Sequence, residues 1–231
     1  MTLFTILALG LLFGMLHALE ADHLAAVFTL VARERSLLGT LRHGVAWGIG
    51  HTLTLLAFGG AVMLAGASIS EQTAHWLEAA VGIMLVGLGA DLLRRLARDR
   101  IHFHRHRHRF GATHFHAHSH RDEQHPHDPM QHQHQHRRLP RRAIAVGMMH
   151  GLAGSAAIVL LALDKLGSPL WGVTYVLLFG AGSIVGMALL SLMIALPLRA
   201  SRLTSLHRGV QSAMALITIG LGLRVFLANV G

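Results

Sequence analysis

Long apolar runs separated by polar segments dominate this chain. Six of the runs reach the length of about 20 residues that a bilayer-crossing helix needs, and they cover 2–32, 43–66, 74–97, 142–163, 169–197 and 209–229. The first run lacks a basic start and a small-residue cleavage site before its charged positions, so we interpret it as a retained helix rather than a signal peptide. The pattern predicts an all-α polytopic membrane protein with six transmembrane helices.

The composition supports a membrane protein. Hydrophobic residues make up 52% of the 231 residues and charged residues 13%, a balance that is too apolar for a soluble domain of this size. The sequence contains no cysteine, which excludes disulfides and thiolate metal ligands. Trp47, Trp76 and Trp171 lie near predicted helix ends, where we interpret them as interfacial anchors.

Arginine marks one side of the predicted membrane, because cytoplasmic loops carry the Lys/Arg excess. Three arginines lie in the first loop, twelve lie in or beside the third, from Arg94 to Arg142, and three lie in the fifth, whereas the even loops hold only Lys165. Loops one, three and five are therefore predicted to be cytoplasmic, with both termini outside. The formal net charge of +9 then follows from topology, and no nucleic-acid partner is predicted.

The two halves of the chain share short motifs at one offset. A shift of 133 residues places "GMLHAL" (14–19) on "GMMHGL" (147–152) and "GLG" (87–89) on "GLG" (220–222), and a shift of 132 places "GIG" (48–50) on "GAG" (180–182). Each unit crosses the membrane three times, so the second must begin on the opposite face. We predict two inverted three-helix repeats, 1–97 and 141–231, an architecture typical of transporters that bind substrate at the repeat interface.

The first apolar run contains an unusual group of ionisable residues. His17, Glu20, Asp22 and His23 lie within seven positions, and each charge at the centre of a membrane helix costs about 2.5 to 3.5 kcal/mol on insertion scales. A helix through 2–32 would be about 45 Å long, against roughly 30 Å of hydrocarbon, so the segment must tilt, break or project. A break near the group is predicted, since a regular helix spreads His17, Asp22 and His23 around its circumference.

Two further histidines are predicted to lie at the same depth in the membrane. His51 in "GIGHTLT" and His150 in "GMMHGL" lie about eight residues inside their runs, and His23 lies nine residues inside its run. Imidazoles with one or two carboxylates can replace the hydration shell of a divalent cation. The set predicts a metal or proton site. The alternatives are a structural network of salt bridges around 17–23 and interhelical hydrogen bonding by His51 and His150.

Residues 98–140 differ in kind from the rest of the chain. They hold thirteen of the twenty histidines, largely alternating with other residues as in "HFHRHRHRF". Low complexity predicts a disordered cytoplasmic loop, and histidine tracts bind Ni, Co, Zn or Cu. The alternative is a tolerated solvated insertion.

Four motifs together carry a family resemblance. "HALEADH" (17–23), of the form H-x4-D-H, followed by "GHTLTLL" (50–56), resembles the signature of the nickel/cobalt transporter family, including relatives that accompany urease genes. "GMMHGLAGSAA" (147–157) and "LFGAGSIVGM" (178–187) are similar to its second-half motifs. The resemblance implies transport of Ni²⁺ or Co²⁺ across a bacterial inner membrane, with His17, Asp22, His23 and His51 important for the substrate.

The sequence leaves open the direction of transport and the functional class of the protein. The larger family members have eight helices, the histidine-rich loop is more similar to the efflux branch, and "HALEADH" is more similar to the uptake branch. Other classes are an exporter of small organic anions or amino acids and a membrane di-metal enzyme, although ordered histidine boxes are missing. We predict a non-enzymatic transporter without a resident cofactor. Its predicted partners are the divalent ion and the bilayer, and self-assembly as a homo-oligomer is left open.

Overall fold

A computed structural model describes residues 3–32, 34, 36–61, 70–98, 102–107, 113–118, 140–153, 169–200 and 204–231. Within this part of the chain, seven α-helices occur in the order α1 (Leu3–His17), α2 (Ala21–Val31), α3 (Leu37–Thr54), α4 (Glu71–Arg98), α5 (Arg141–Leu152), α6 (Pro169–Ala200) and α7 (Thr204–Val230). Helix α3 continues into a π-helical turn, Leu55–Gly59.

Three of these helices, α4, α6 and α7, are long and apolar enough to cross a membrane, and the bent pair α1–α2 can supply a fourth crossing. Large apolar side chains such as Phe4, Leu170 and Leu227 are exposed on their surfaces, as expected of helices that face lipid. The predicted runs 43–66 and 142–163 are described only in part, because 62–69 and 154–168 lie outside the described residues.

The predicted break in the first run is confirmed. Helix α1 ends at His17, where the backbone N–H groups of Leu19 and Glu20 donate to the carbonyls of Leu16 and His17 at 2.9 and 3.1 Å. Glu20 is extended, with φ −61° and ψ 148°, and occupies the N-cap position of α2 without a side-chain capping bond. The axes of α1 and α2 differ by 57°. The bend points the first turn of α2, which contains Asp22 and His23, into the protein.

Glycines allow the long helices to approach one another closely. Helix α4 packs along α7, α1 along α6, and α3 along both α5 and α6. On α4, a Cβ atom at Gly82 would meet the backbone of Gly222 at 2.7 Å, and one at Gly89 would meet the carbonyl of Ala215 at 2.7 Å. Such small-residue contacts are the usual means of packing helices in a membrane, where burial of apolar surface provides no drive.

Several close contacts occur twice, at positions 132 to 133 residues apart. Gly14 lies against the carbonyl of Phe179, and Gly147 lies against the carbonyl of Trp47. The same relation links the contact of Gly50 with Ile144 to that of Gly182 with Leu11, and the contact of Gly82 with Gly222 to that of Gly89 with Ala215. In each case, adding 132 or 133 to the first residue number of one contact and subtracting 132 or 133 from the second gives the two residues of the other contact.

Two antiparallel strands, β1 (His102–Arg107) and β2 (Thr113–His118), lie in the histidine-rich segment. The register sets His104 opposite His116 and His106 opposite His114. The prediction of a loop without regular structure therefore does not hold for these residues. The alternation of histidine with other residues has the period of two that a strand requires, a feature that the low-complexity interpretation overlooked. Outside this ribbon, every regular element described is helical.

A matched pair of glycine substitutions on α4 tests the packing against α7. Gly89→Ala would place a methyl group 2.7 Å from a backbone carbonyl, and overpacking of this kind costs about 1 to 3 kcal/mol. Gly87→Ala enters open space and gains helix propensity of up to about 1 kcal/mol. We expect the melting temperature in detergent to fall for Gly89→Ala and to stay level or rise for Gly87→Ala. Equal melting temperatures would contradict the close α4–α7 packing.

Candidate metal centre

The six residues singled out in the sequence lie around one small volume of the structure. His17 is the last residue of α1, Glu20 lies in the break, and Asp22 and His23 form part of the first turn of α2. His51 comes from α3 and His150 from α5. The break in the first run is what allows His17 and His23 to face each other, since a continuous helix would point them apart.

The histidine rings are in mutual contact. The ring centroids of His17 and His23 are 4.4 Å apart, those of His23 and His150 are 4.2 Å apart, and His51 lies 5.3 Å from His17 and 5.6 Å from His23. All four rings are buried. Two overlapping triads, one of His17, His23 and His51 and the other of Asp22, His23 and His150, each offer one ligand atom per residue within 4.8 Å of one another.

Two carboxylates orient three of the rings. His150 Nε2 donates to Asp22 Oδ2 at 2.7 Å, and His23 Nδ1 donates to Asp22 Oδ1 at 3.1 Å. His17 Nδ1 donates to Glu20 Oε1 at 2.7 Å. We assign these tautomers from the bonding, because a carboxylate accepts and the ring must donate. Each ring then keeps a lone pair on its other nitrogen.

Those other nitrogens are buried and have no hydrogen-bond partner within the described ranges. They are Nε2 of His17, Nε2 of His23 and Nδ1 of His150, and His51 has both ring nitrogens in this condition. A buried polar atom without a partner costs about 1 to 3 kcal/mol. The pattern, with one nitrogen fixed by a carboxylate and the other free, is the one seen in metal-ligating histidines.

Trp47 forms one wall of the centre and was not predicted to do so. Its ring stacks on His23 at 5.8 Å with an interplanar angle of 11° and lies 5.6 Å from His150. The interpretation of Trp47 as an interfacial anchor is wrong, because the side chain is fully buried. Its spacing of four residues from His51, which places both on one face of α3, was the signal available in the sequence. Trp76 and Trp171 are exposed, and their role as interfacial anchors stays a prediction.

Two glycines bring His150 into the centre. A Cβ atom at Gly147 would collide with Trp47, and one at Gly151 would lie 2.6 Å from the carbonyl of His51. The spacing of four residues between these glycines gives α5 a smooth face against α3. The small residues of "GLAGSAA" (151–157) predict close helix packing at Gly151, whereas the contact of Gly147 with Trp47 was not predicted.

The arrangement defines an integral membrane protein with a nitrogen- and oxygen-rich cluster buried between its helices. The chain is 35% identical over 231 residues, covering 99% of it and 93% of the relative, to the urease accessory protein UreH of Bacillus sp. (strain TB-90). No family model matches the chain, and no solved structure matches it significantly. The chain belongs to the nickel/cobalt transporter family, which makes it a transport protein rather than an enzyme.

Replacement of His51 by an apolar residue tests whether the centre is strained when it holds no ion. His51 is fully buried and has no hydrogen-bond partner on either nitrogen among the described residues, so His51→Leu removes two unsatisfied atoms. We expect the metal-free protein to gain stability, by about 1 to 3 kcal/mol for each buried polar atom without a partner. The control is His150→Leu, which deprives Asp22 of a partner and should lower the stability. Melting in chelator-treated detergent measures both, and a destabilised His51→Leu protein would contradict the expectation.

Proposed function

We propose that this protein carries Ni²⁺ or Co²⁺ across the bacterial inner membrane and binds the ion at the buried cluster. His17, His23 and His51 supply ring nitrogens, Asp22 supplies charge and orients two rings, and Glu20 and His150 complete the set. The observation that carries the proposal is the group of buried imidazole nitrogens without partners.

A purely structural network is a poorer explanation of the same residues. Structural networks in membrane helices persist because each polar group finds a partner. Here Asp22 satisfies one nitrogen on each of His23 and His150, yet five ring nitrogens across four histidines remain unsatisfied among the described residues. Buried ring nitrogens without partners are unfavourable unless a Lewis acid, such as a metal ion, binds them.

The ligand chemistry favours a divalent transition metal. Imidazole and carboxylate suit Ni²⁺, Co²⁺ and Zn²⁺, and nickel binds nitrogen ligands more tightly than cobalt in the Irving–Williams order. The relative is described as a urease accessory protein, which favours nickel as the ion carried, since urease is a nickel enzyme. Organic anions are poor candidates, because Asp22 and Glu20 lie at the site and would repel them.

We also propose that the six predicted helices form two inverted repeats that meet at the site. The contacts that recur at offsets of 132 to 133 residues support this arrangement, because a twofold axis in the membrane plane would generate them. His17 and His150 occupy equivalent positions of the two halves. Transporters built this way bind substrate at the interface of their repeats.

The membrane orientation stays a proposal based on the arginine excess. It places the histidine-rich loop in the cytoplasm and both termini outside. Whether ions enter or leave the cell follows from the loop experiment below.

Substitution of the shared ligands should stop transport. We expect Asp22→Asn and His23→Ala to lower nickel and cobalt flux in proteoliposomes by at least roughly tenfold, since loss of a ligand or of its orienting partner typically costs 10- to 100-fold. His75→Ala is the matched control, because His75 is an exposed histidine on α4. Near-normal flux in both site variants, with correct insertion, would refute the metal-site assignment.

Deletion of 101–137 tests the role of the histidine-rich loop. We expect the maximal rate to stay within about threefold of that of the intact protein, because the loop can only concentrate ions near the site. In an exporter, the deletion should raise the KM for cytoplasmic nickel. In an importer, it should change net accumulation and leave the external KM unchanged.

Right-side-out and inside-out vesicles separate the two directions of transport. The control is a loop of the same length in which serine replaces every histidine, which removes the ligands and keeps the spacing. Complete loss of flux in correctly inserted protein would show that essential ligands lie in the loop and would contradict the proposed site.

A further inference from the structure

A cavity of about 210 Å³ adjoins the buried cluster. It is lined by three of the histidines and by three carboxylates, namely His17, His23, His150, Glu20, Asp22 and Glu78. Glu78 is the one ionisable residue of this lining that neither the sequence motifs nor the proposed ligand set include. It lies on α4, two turns after the first residue, Glu71.

Exposure rises steadily from the histidines to the carboxylates. The side chains of His23, His150 and His17 are 1, 3 and 6% exposed, whereas those of Asp22 and Glu20 are 27 and 50% exposed. Nε2 of His17 and Nε2 of His23 are buried without a partner among the described residues. The cavity therefore has a closed end formed by free imidazole nitrogens and an open end formed by carboxylates.

Among the described residues, Glu78 has no partner for its charge. Within the described ranges it makes no hydrogen bond or ion pair, although its side chain is partly buried. Arg224, which is next to the lining residue Val225, is exposed and forms no ion pair with it. An unpaired carboxylate on a helix long and apolar enough to span the membrane is costly, and such residues usually mark a path for ions.

The opposite end of the same helix is unsuited to a cation. Asp91 lies 13 residues further along α4, about 20 Å away at 1.5 Å per residue. Its Oδ2 accepts from Arg142 at 2.5 Å and from Arg95 at 2.9 Å. This group ties α4 to α5 and leaves an excess of positive charge around a smaller cavity.

We propose that Glu78 is a cation-binding residue at the entrance to the site and that ions reach the buried histidines along the Glu78 side of the protein. The proposal rests on the proposed function and adds the route by which the substrate enters. A carboxylate at the mouth of a low-dielectric cleft raises the local concentration of cations. Glu78 then determines how efficiently ions are captured, and the histidines hold them.

The test is the dependence of nickel flux on the metal concentration presented to the Glu71 end of α4. Glu78→Gln should raise the KM by roughly three- to tenfold and leave the maximal rate unchanged, since only capture loses a charge. The difference should shrink as ionic strength rises, because exposed charges are screened. Glu78→Asp should restore most of the affinity. Glu71→Gln is the matched control on the same helix, outside the cavity, and should match the intact protein.

A second measurement uses the absence of cysteine from the chain. Glu78→Cys then carries the only thiol, and we expect a cationic thiol reagent to modify it faster than an anionic one. Nickel should slow the modification of E78C, and introduction of His23→Ala should abolish that protection. Glu71→Cys is the control and should show no protection by nickel.

The outcomes separate the two proposals. If His23→Ala stops flux while Glu78→Gln has the KM of the intact protein, the metal site stands and the entrance is wrong. If His23→Ala transports normally, the proposed function is wrong. The proposal that Glu78 binds cations is then tested only by the reaction of E78C with the thiol reagents. A thiol of E78C that reacts no faster with the cationic reagent than with the anionic one overturns the entrance in that case.

Discussion

The carboxylate of Asp22 is the interaction on which the centre depends. It accepts from His23 on its own helix and from His150 on α5, which lies 128 positions further along the chain. One side chain therefore orients two rings and links α2 to α5. If the rings turned the other way, their lone pairs would face Asp22 and would be lost to a metal ion. Orientation by a carboxylate behind the ligand is the usual way in which a protein tunes an imidazole.

That interaction is formed only because the backbone brings three elements together. The break after His17 turns the start of α2 inward, and Gly147 and Gly151 let α5 lie directly on α3. Beyond His51 the helix widens into the π-helical turn Leu55–Gly59. Such insertions are rare and occur often near functional sites. Irregularities of the helices therefore hold the polar cluster in place.

The sequence grouped six residues that the structure also brings together, and it predicted the break in the first run, whereas the metal-binding role of the six stays a prediction. H-x4-D-H and the depth of His51 and His150 in their runs were enough to group six residues, because ionisable side chains in an apolar run have few other reasons to occur. Trp47 and Glu78 were not predicted to lie at the centre. A tryptophan near a predicted helix end and a glutamate two turns into a helix both have ordinary roles at a membrane interface. The two strands in the histidine-rich segment were not predicted, because the segment was interpreted from its low complexity and not from the alternation of its residues.

Under the proposed inverted repeat, the two halves contribute unequally to the centre. His17 and His150 stand at equivalent positions, but the position equivalent to His51 is Ser183, whose hydroxyl donates to the carbonyl of Gly14 at 3.2 Å. The positions equivalent to Asp22 and His23 are Ser155 and Ala156. Ser183 thus uses its hydroxyl to hold two helices together, whereas His51 has no hydrogen-bond partner on either ring nitrogen among the described residues. Two complete ligand sets would place two carboxylates and several more imidazoles in one small volume, and a single divalent ion could not satisfy them all. With the motif in one half only, the proposed site has a single ligand set, as the binding of one divalent ion requires.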